Sequence, residues 1–191
     1  MNPSLVTRHS RFTLLPDMRK LANHTALKEW ANVIDSLGRG EQVVLIRKGG
    51  IADPTFGVEA QAFYLYPTFF HQGESEPRPS VTITHWAEVV RTWRVTDLEQ
   101  LAKLEPLVAI PRETLDARYR FRADQTLHVI GVRVWRLAAP VEVRFLEEYA
   151  GCRSWLSVEE EIDTAGSTPV LSDEALRQRL DAVDAVLAIP V

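Results

Sequence analysis

The hydrophobic residues in the first part of the chain follow helical spacing, with Thr25 placed as an N-cap and Gly38 as a stop. This pattern predicts an amphipathic helix whose apolar face consists of Ala26, Leu27, Trp30, Ala31, Val33, Ile34 and Leu37. Residues 42–47 are rich in β-branched side chains and end near two glycines, which predicts a strand followed by a hairpin turn. Its expected partner is 62–70, where Pro67 marks a strand end, an edge or a bulge.

The middle of the chain changes from helical spacing to alternation. Residues 87–95 place apolar and polar side chains on opposite faces, as in a half-buried strand. Thr96 and Glu99 have the spacing of a capping box and predict a short helix over 98–104, which Pro106 ends. A strand and a helix are therefore expected in direct succession.

A long apolar run at 127–137 predicts a further strand. Gly131 inside this run indicates a bulge or a close approach of another backbone segment. Residues 141–145 are expected to pair with the run after a turn at 139–140. A last helix begins after Ser172, and its apolar face consists of Leu176, Leu180, Val183 and Leu187.

Five or six strands with few intervening helices predict an α+β fold. The sheet is expected to be mainly antiparallel or mixed, with a small barrel as an alternative, and to carry an N-terminal and a C-terminal packing helix. We expect an N-terminal extension over 1–20, a core domain over 21–157, and an acidic connector and C-terminal helix over 158–191. That helix docks on the protein's own sheet in the favoured arrangement and on a second copy in the alternative, so the oligomeric state stays open.

The composition is that of an ordinary globular domain. The chain has 191 residues, of which 46% are hydrophobic and 25% charged, and this balance excludes fibrous and wholly disordered proteins. Because Cys152 is the only cysteine, an internal disulfide and a Cys-rich zinc site are excluded, and a reducing compartment is expected. No apolar run reaches the roughly 18 residues of a spanning helix, and no secretory signal pattern is present. We therefore expect a cytoplasmic protein without a membrane partner.

The net charge of −4 is unevenly distributed. Acidic residues exceed basic ones by six in 158–191, so the rest of the chain carries a small positive excess. The net charge therefore neither requires nor excludes a polyanionic partner. Whether such a partner can bind depends on the local arrangement of charge. The acidic run 159–163 is typical of a solvated connector, and one hypothesis is that it screens basic residues elsewhere.

Two local patterns of basic residues are suited to binding phosphate. Arg47 and Lys48 precede two glycines, whose backbone N–H groups face an anion in one interpretation and form a plain hairpin turn in the other. In 118–122, cations alternate with aromatic residues. If that segment is extended, it presents a basic stripe on one face, formed by Arg118, Arg120 and Arg122.

The aromatic residues near these cations have two interpretations. Exposed rings of Tyr119 and Phe121 would stack on bases, whereas buried rings would belong to the core and leave the arginines solvated or ion-paired. His85 and Trp86 are candidates for a base-edge contact and for base stacking, with a core role for Trp86 as the alternative. The block 83–89 is similar to the opening strand of the PUA and EVE small barrels. That partial resemblance implies a partner containing RNA or a modified base.

An enzymatic alternative uses a carboxylate and an imidazole as general acid and base. Its candidate residues are Glu29, Glu59, Glu88, His71 and His85. The histidines at 71, 85 and 128 lack the short spacing of paired metal ligands, so we predict no metal and no cofactor. Cys152 fits a small buried hydrophobe better than a nucleophile. Because the common hydrolase and nucleotide-binding motifs are absent, the sequence favours binding over catalysis and leaves enzymatic activity open.

Six separated blocks resemble, in order, the blocks of one known family. They comprise 26–30, 45–51, Tyr66-Pro67-Thr68 followed by His71 and Gln72, 84–89, Tyr149 with Gly151 and Cys152, and Ser154-Trp155. The chain is therefore similar to the bacterial family called domain of unknown function 1802. The resemblance implies no established activity. Some members of that family are similar in arrangement to proteins fused with restriction-type nuclease domains, which implies a link to restriction-modification or defence.

The leading hypothesis is a nucleic-acid-associated binding module with DNA or RNA as its partner. Under this hypothesis, the candidate side chains converge on one concave face. The candidates are Arg47, Lys48, His71, Gln72, His85, Trp86, Arg118, Arg120 and Arg122. A small hydrolase or nuclease-like enzyme is the first alternative, and a structural or protein-interaction domain is the second.

Overall fold

A computed structural model describes residue 21 and residues 24–48, 60–69, 78–95, 97–121, 125–151 and 153–187. These residues form an α+β fold with one mixed seven-stranded sheet, which confirms the predicted fold class. The strands are β1 (Thr25–Trp30), β2 (Val44–Arg47), β3 (Ala62–Thr68), β4 (Ser80–Val95), β5 (Leu127–Arg144), β6 (Trp155–Ser157) and β7 (Thr168–Pro169). The helices are α1 (Ala31–Gly38), α2 (Leu98–Leu104), α3 (Arg112–Arg120) and α4 (Asp173–Leu187).

The strands follow the order β2-β5-β4-β3-β1-β6, with β7 paired to β5. Within this order β1 and β3 are parallel and the other pairs are antiparallel. Since β2 and β6 are the two ends of the order, the sheet formed by the described residues is not a closed barrel. The mixed sheet is thus confirmed, and the barrel alternative is wrong.

The predicted first helix is wrong in its first six residues, which form β1 instead. Ala26 and Leu27 point to opposite faces of the sheet, and both are fully buried because Leu27 packs in one apolar cluster and Ala26 in another. A strand buried on both faces loses its alternation and imitates the spacing of an apolar helix face. α1 begins only at Ala31, and it ends at Gly38 as predicted.

The predicted pairing of 42–47 with 62–70 is also wrong. β2 pairs antiparallel with β5, and Arg47 lies opposite His128. β3 instead pairs with β1 along its length and with β4 only over its first residues, from Ala62 to Tyr64. Pro67 therefore lies beyond the ladder with β4, where its missing N–H removes no bond to that strand.

The two longest strands, β4 and β5, pair along most of their lengths. The predicted turn at 139–140 is wrong, because β5 runs through it without interruption. The paired positions jump from Val141 to Arg136, so Pro140 falls in an interval of β5 that has no partner in β4 and needs no N–H there. Gly131 is closely approached by side chains and not by another backbone segment, because an added Cβ would lie 2.9 Å from Leu180 Cδ2 and 3.0 Å from the Trp93 ring.

The N-cap of α2 differs from the one that the sequence predicts. Asp97 caps α2 by accepting a hydrogen bond from the Gln100 N–H at 2.8 Å, whereas the predicted cap Thr96 lies outside the described residues. α4 begins directly after Ser172 as predicted, and Ser172 Oγ caps it by accepting a 3.2 Å bond from the Ala175 N–H. The predicted face of α4 is buried in the protein's own core, as the favoured arrangement requires, through Leu176, Leu180, Val183 and Leu187.

The acidic segment before α4 is packed, in contrast to the solvated connector expected from its charge. Val158 and Ile162 are buried in a second apolar cluster with Tyr64 and Tyr149. Glu160 accepts a bond from the Arg144 N–H at 3.0 Å at the far end of β5. Buried apolar residues between the acids thus fix the segment on the sheet. The division into extension, core and connector remains a prediction.

In the part of the chain that the structure describes, no helix has both the length and the apolar character needed to cross a membrane.

Candidate functional site

The sheet curls until β2, at one end of the strand order, approaches β1. Arg47 Nη1 on β2 donates to Lys28 O at 3.2 Å and to Glu29 Oε2 at 3.3 Å, both on β1. Glu29 is only 1% exposed, and its Oε1 accepts the Trp30 N–H at 2.8 Å. The gap between β1 and β2 is therefore bridged by a buried ion pair. We call this gap the seam.

Helix α3 packs beside the seam. Arg118 Nη1 donates to Ile46 O at 3.1 Å, and its guanidinium lies 4.5 Å from the centroid of the Trp30 ring. Lys48 Nζ donates to Tyr119 O at 2.6 Å. These contacts exist because 118–120 is helical, so the extended basic stripe predicted for 118–122 is wrong. Its arginines instead face different directions, with Arg118 turned inward and Arg120 exposed.

The charged groups at the seam form a group that we call the seam cluster, which consists of Glu29, Arg47, Lys48 and Arg118. Three of these four described groups are cations. Burial lowers the pKa of Arg118 from its ordinary value, the charge of Glu29 opposes this shift, and the charge of Arg47 adds to it. Guanidinium and ammonium groups gathered in this way can bind a phosphate through charge-assisted hydrogen bonds.

A line of basic residues continues from the seam across the sheet. Arg47 on β2 lies opposite His128 on β5, and His128 lies opposite Arg94 on β4. Residues directly opposite one another on neighbouring strands point to the same face. The pKa of His128 is lowered by burial and, to a smaller extent, by Arg94. Arg47, His128 and Arg94 therefore form a row on one face, which we call the basic row.

Sequence reasoning missed the basic row. Arg94 received no role, and His128 was considered only as a metal ligand. The alternation in 87–95 showed which face of its strand Arg94 occupies, but the row depends on β2 and β4 pairing with opposite edges of β5. That pairing is a tertiary property that no local pattern in 42–47 contains.

Trp86 and His85 lie in the interior. The Trp86 ring stacks on Trp135 at 5.3 Å with an interplanar angle of 7°, and its indole N–H donates to Ser167 Oγ at 3.0 Å. The His85 ring packs against Gly38 in α1, and its Nδ1 lies 2.8 Å from Thr84 Oγ1. Both side chains are buried, so Trp86 takes the core role that was its alternative. Neither residue joins the seam cluster through a contact within the described residues.

The predicted acid/base pairs do not form among the described residues. Glu29 is paired with Arg47, and Glu88 Oε2 accepts the Trp135 indole N–H at 2.9 Å. Neither carboxylate is bonded to His85. The remaining candidates lie outside the described residues, and they are Glu59, His71, Gln72 and Arg122. The described ranges also contain no group of three or more His, Cys, Asp or Glu residues arranged to hold a metal ion.

Tyr66 is expected to be a position where the protein can be stabilised. The residue is 3% exposed, and its hydroxyl makes no hydrogen bond within the described ranges. Burial raises the pKa of Tyr66 to about 12, so the hydroxyl is neutral. Because an unsatisfied buried hydroxyl is unfavourable, Tyr66→Phe should raise the free energy of unfolding by about 1 kcal/mol in a urea titration. A loss of stability would contradict this prediction, and Tyr64→Phe, which removes a 3.0 Å bond to Ile162 O, is the matched control.

The chain was compared with known families and with curated proteins. The family model described as "Domain of unknown function (DUF1802)" matches residues 26–182, which is most of the chain. The comparison with curated proteins found no match.

Solved structures gave similar backbones. The crystal structure of ASCH from Zymomonas mobilis is similar with a TM-score of 0.45 and 11% identity, over 83% of this chain and 93% of that chain. A tyrosine-to-phenylalanine mutant of that protein gives 0.46 and 10%, over 82% and 96%. A serine-to-alanine mutant gives 0.42 and 12%, over 87% and 98%. At these identities no site residue is transferred to this chain.

Proposed function

Because the chain belongs to the DUF1802 family, whose description assigns no activity, we propose a function from the site itself: the protein binds nucleic acid, with phosphate groups at the seam. The proposal concerns binding and involves no metal or cofactor. A link to restriction-modification or defence and a cytoplasmic location stay predictions.

The observation that carries the proposal is the gathering of cations at the seam. Arg47 and Arg118 lie at the buried carboxylate of Glu29, Lys48 is held beside them at the end of α3, and Arg47 also begins the basic row. Arginine provides planar donors that match phosphate oxygens.

A polymer of phosphates fits this arrangement better than a single phosphate does. The basic row crosses three neighbouring strands, and strands in a sheet lie about 4.8 Å apart. Its two arginines, Arg47 and Arg94, are therefore separated by about 10 Å. One phosphate group contacts only one end of such a row, whereas successive phosphates of a nucleic acid contact both ends.

The affinity for nucleic acid should fall steeply with salt. If four cations contact phosphates, raising the salt from about 50 to 200 mM should weaken binding roughly 50- to 150-fold. Arg47→Gln and Arg94→Gln should each weaken binding to all sequences and reduce the salt slope by about 1. Fluorescence anisotropy with labelled DNA and RNA probes measures both quantities.

The matched control is Arg153→Gln, which removes an exposed arginine just before β6 and should leave the slope unchanged. Equal effects of all three substitutions would show binding by overall charge and contradict a site at the seam. Undetectable binding at low salt would overturn the proposed function and leave protein interaction as the simpler account.

A further inference from the structure

Phe121 is a large aromatic residue exposed beside the seam. It is 49% exposed, and the other large hydrophobic residue exposed in the described ranges, Val90, is 37% exposed. Val90 lies at a bulge of β4, where the register between β4 and β5 shifts. Phe121 instead forms the C-cap of α3, with its N–H bonded to Ala117 O at 2.9 Å. Its position is therefore fixed by the helix.

The end of α3 holds the Phe121 ring close to the cations. Arg118 and Phe121 are three residues apart, so they lie on the same side of the helix, with Cβ atoms about 5–6 Å apart. Arg118 is tied to β2 through Ile46 O, and Lys48 is tied to Tyr119 O. The end of α3 that carries Phe121 is thus tied to β2 and to the seam cluster by two hydrogen bonds. Arg120, between them in sequence, is also exposed.

An exposed aromatic ring next to phosphate-binding cations distinguishes single strands from duplexes. In a duplex the faces of the bases are covered by their stacked neighbours, whereas a single strand offers a free face. Stacking on an aromatic side chain contributes to affinity for every base, because each base has a π-face. Because a duplex offers no free base face, the ring adds no stacking to duplex binding.

We infer that the seam cluster and Phe121 together form a site for single-stranded nucleic acid, in which phosphates contact the cations and a neighbouring base stacks on Phe121. This inference rests on the proposed function and specifies the partner as single-stranded, and not double-stranded, nucleic acid. It assigns Phe121 a role that is independent of charge. The alternative occupant of an exposed ring, a second protein, is an outcome of the test.

The test compares a single-stranded probe of about 15 nucleotides with a duplex of the same length, by fluorescence anisotropy at low salt. The wild-type protein should bind the single strand more tightly. Phe121→Ala should weaken single-strand binding about tenfold, leave duplex binding unchanged, and leave the salt slope of both unchanged. Phe121→Trp should retain or increase the affinity, because the ring is kept. Val90→Ala is the matched control and should change neither.

The outcomes separate this inference from the proposed function. Salt-dependent binding with equal affinity for both probes, and no effect of Phe121→Ala, overturns the single-strand site but keeps the nucleic-acid interface. Absence of salt-dependent binding to either probe overturns both. Equal weakening of both probes by Phe121→Ala, with an unchanged melting temperature, overturns the stacking role as well. Sedimentation of wild type and Phe121→Ala reports whether the ring instead mediates association between copies, which would also contradict the inference.

Discussion

Replacing Glu29 with glutamine should lower the free energy of unfolding by about 3–5 kcal/mol, as expected when one partner of a buried ion pair is removed. Glu29 is 1% exposed and is bonded to Arg47, and its charge also acts on Arg118. Glutamine keeps the size of the side chain but leaves these guanidinium groups without their carboxylate. Urea denaturation followed by tryptophan fluorescence measures the change.

Two further variants make this result specific. Glu99→Gln removes an exposed carboxylate on α2 and should change stability by no more than about 0.5 kcal/mol. Adding Arg47→Met to Glu29→Gln should restore part of the loss, because it removes a cation left without its partner. A loss below about 1 kcal/mol for Glu29→Gln would show that water already screens the seam cluster.

Acidification should destabilise the protein through His85. Burial, assisted by the charge of Arg136, lowers the pKa of His85 from its ordinary 6.5 to about 4, while Asp35 opposes the shift. The folded state therefore favours the neutral imidazole, and the unfolded chain binds the proton more readily. The contribution of His85 to stability is complete above pH 6.5 and is lost as the pH falls towards 4. The loss amounts to about 3 kcal/mol.

The effect of pH is assigned by comparing variants at several pH values. In His85→Gln, the loss of stability between about pH 6.5 and 4 should become much smaller. A small remainder is expected from His128, whose pKa is lowered in the same direction. His24→Gln, at an exposed histidine, is the matched control. An unchanged dependence in His85→Gln would show that other groups control the acid sensitivity.

The sequence predicted correctly those elements that bury one face and expose the other, because their apolar and polar residues are then clearly separated. The spacing in α4 places four apolar residues on one side of an otherwise polar helix, and the structure buries all four. β1 could not be recognised in this way, since an apolar cluster covers each of its faces, one with Leu27 and the other with Ala26. The glycines after β2 suggested a hairpin with the next strand in sequence. This was wrong, because the true partner, β5, begins about 80 residues later.

The candidate site was predictable in its residues but not in its arrangement. Arg47, Lys48 and Arg118 attracted attention as cations in two separate segments, and the structure brings them to the same seam. Nothing local in the sequence shows that the sheet curls or that Glu29 lies between them. His85 and Trp86 were selected for their chemistry, but burial decides their roles, and burial depends on the packing of β4 against the rest of the chain.

The position of β1 determines when the fold can be completed during protein synthesis. β6, which pairs with one side of β1, begins at Trp155, about 125 residues after β1 ends. At about 5–20 residues per second, a ribosome needs roughly 6–25 s to make this interval. Throughout that time the backbone groups on this side of β1 have no strand partner, and an unpaired edge of this kind invites pairing with another chain. This edge of β1 is therefore open to pairing with another chain until the residues of β6 have been made and have left the ribosome.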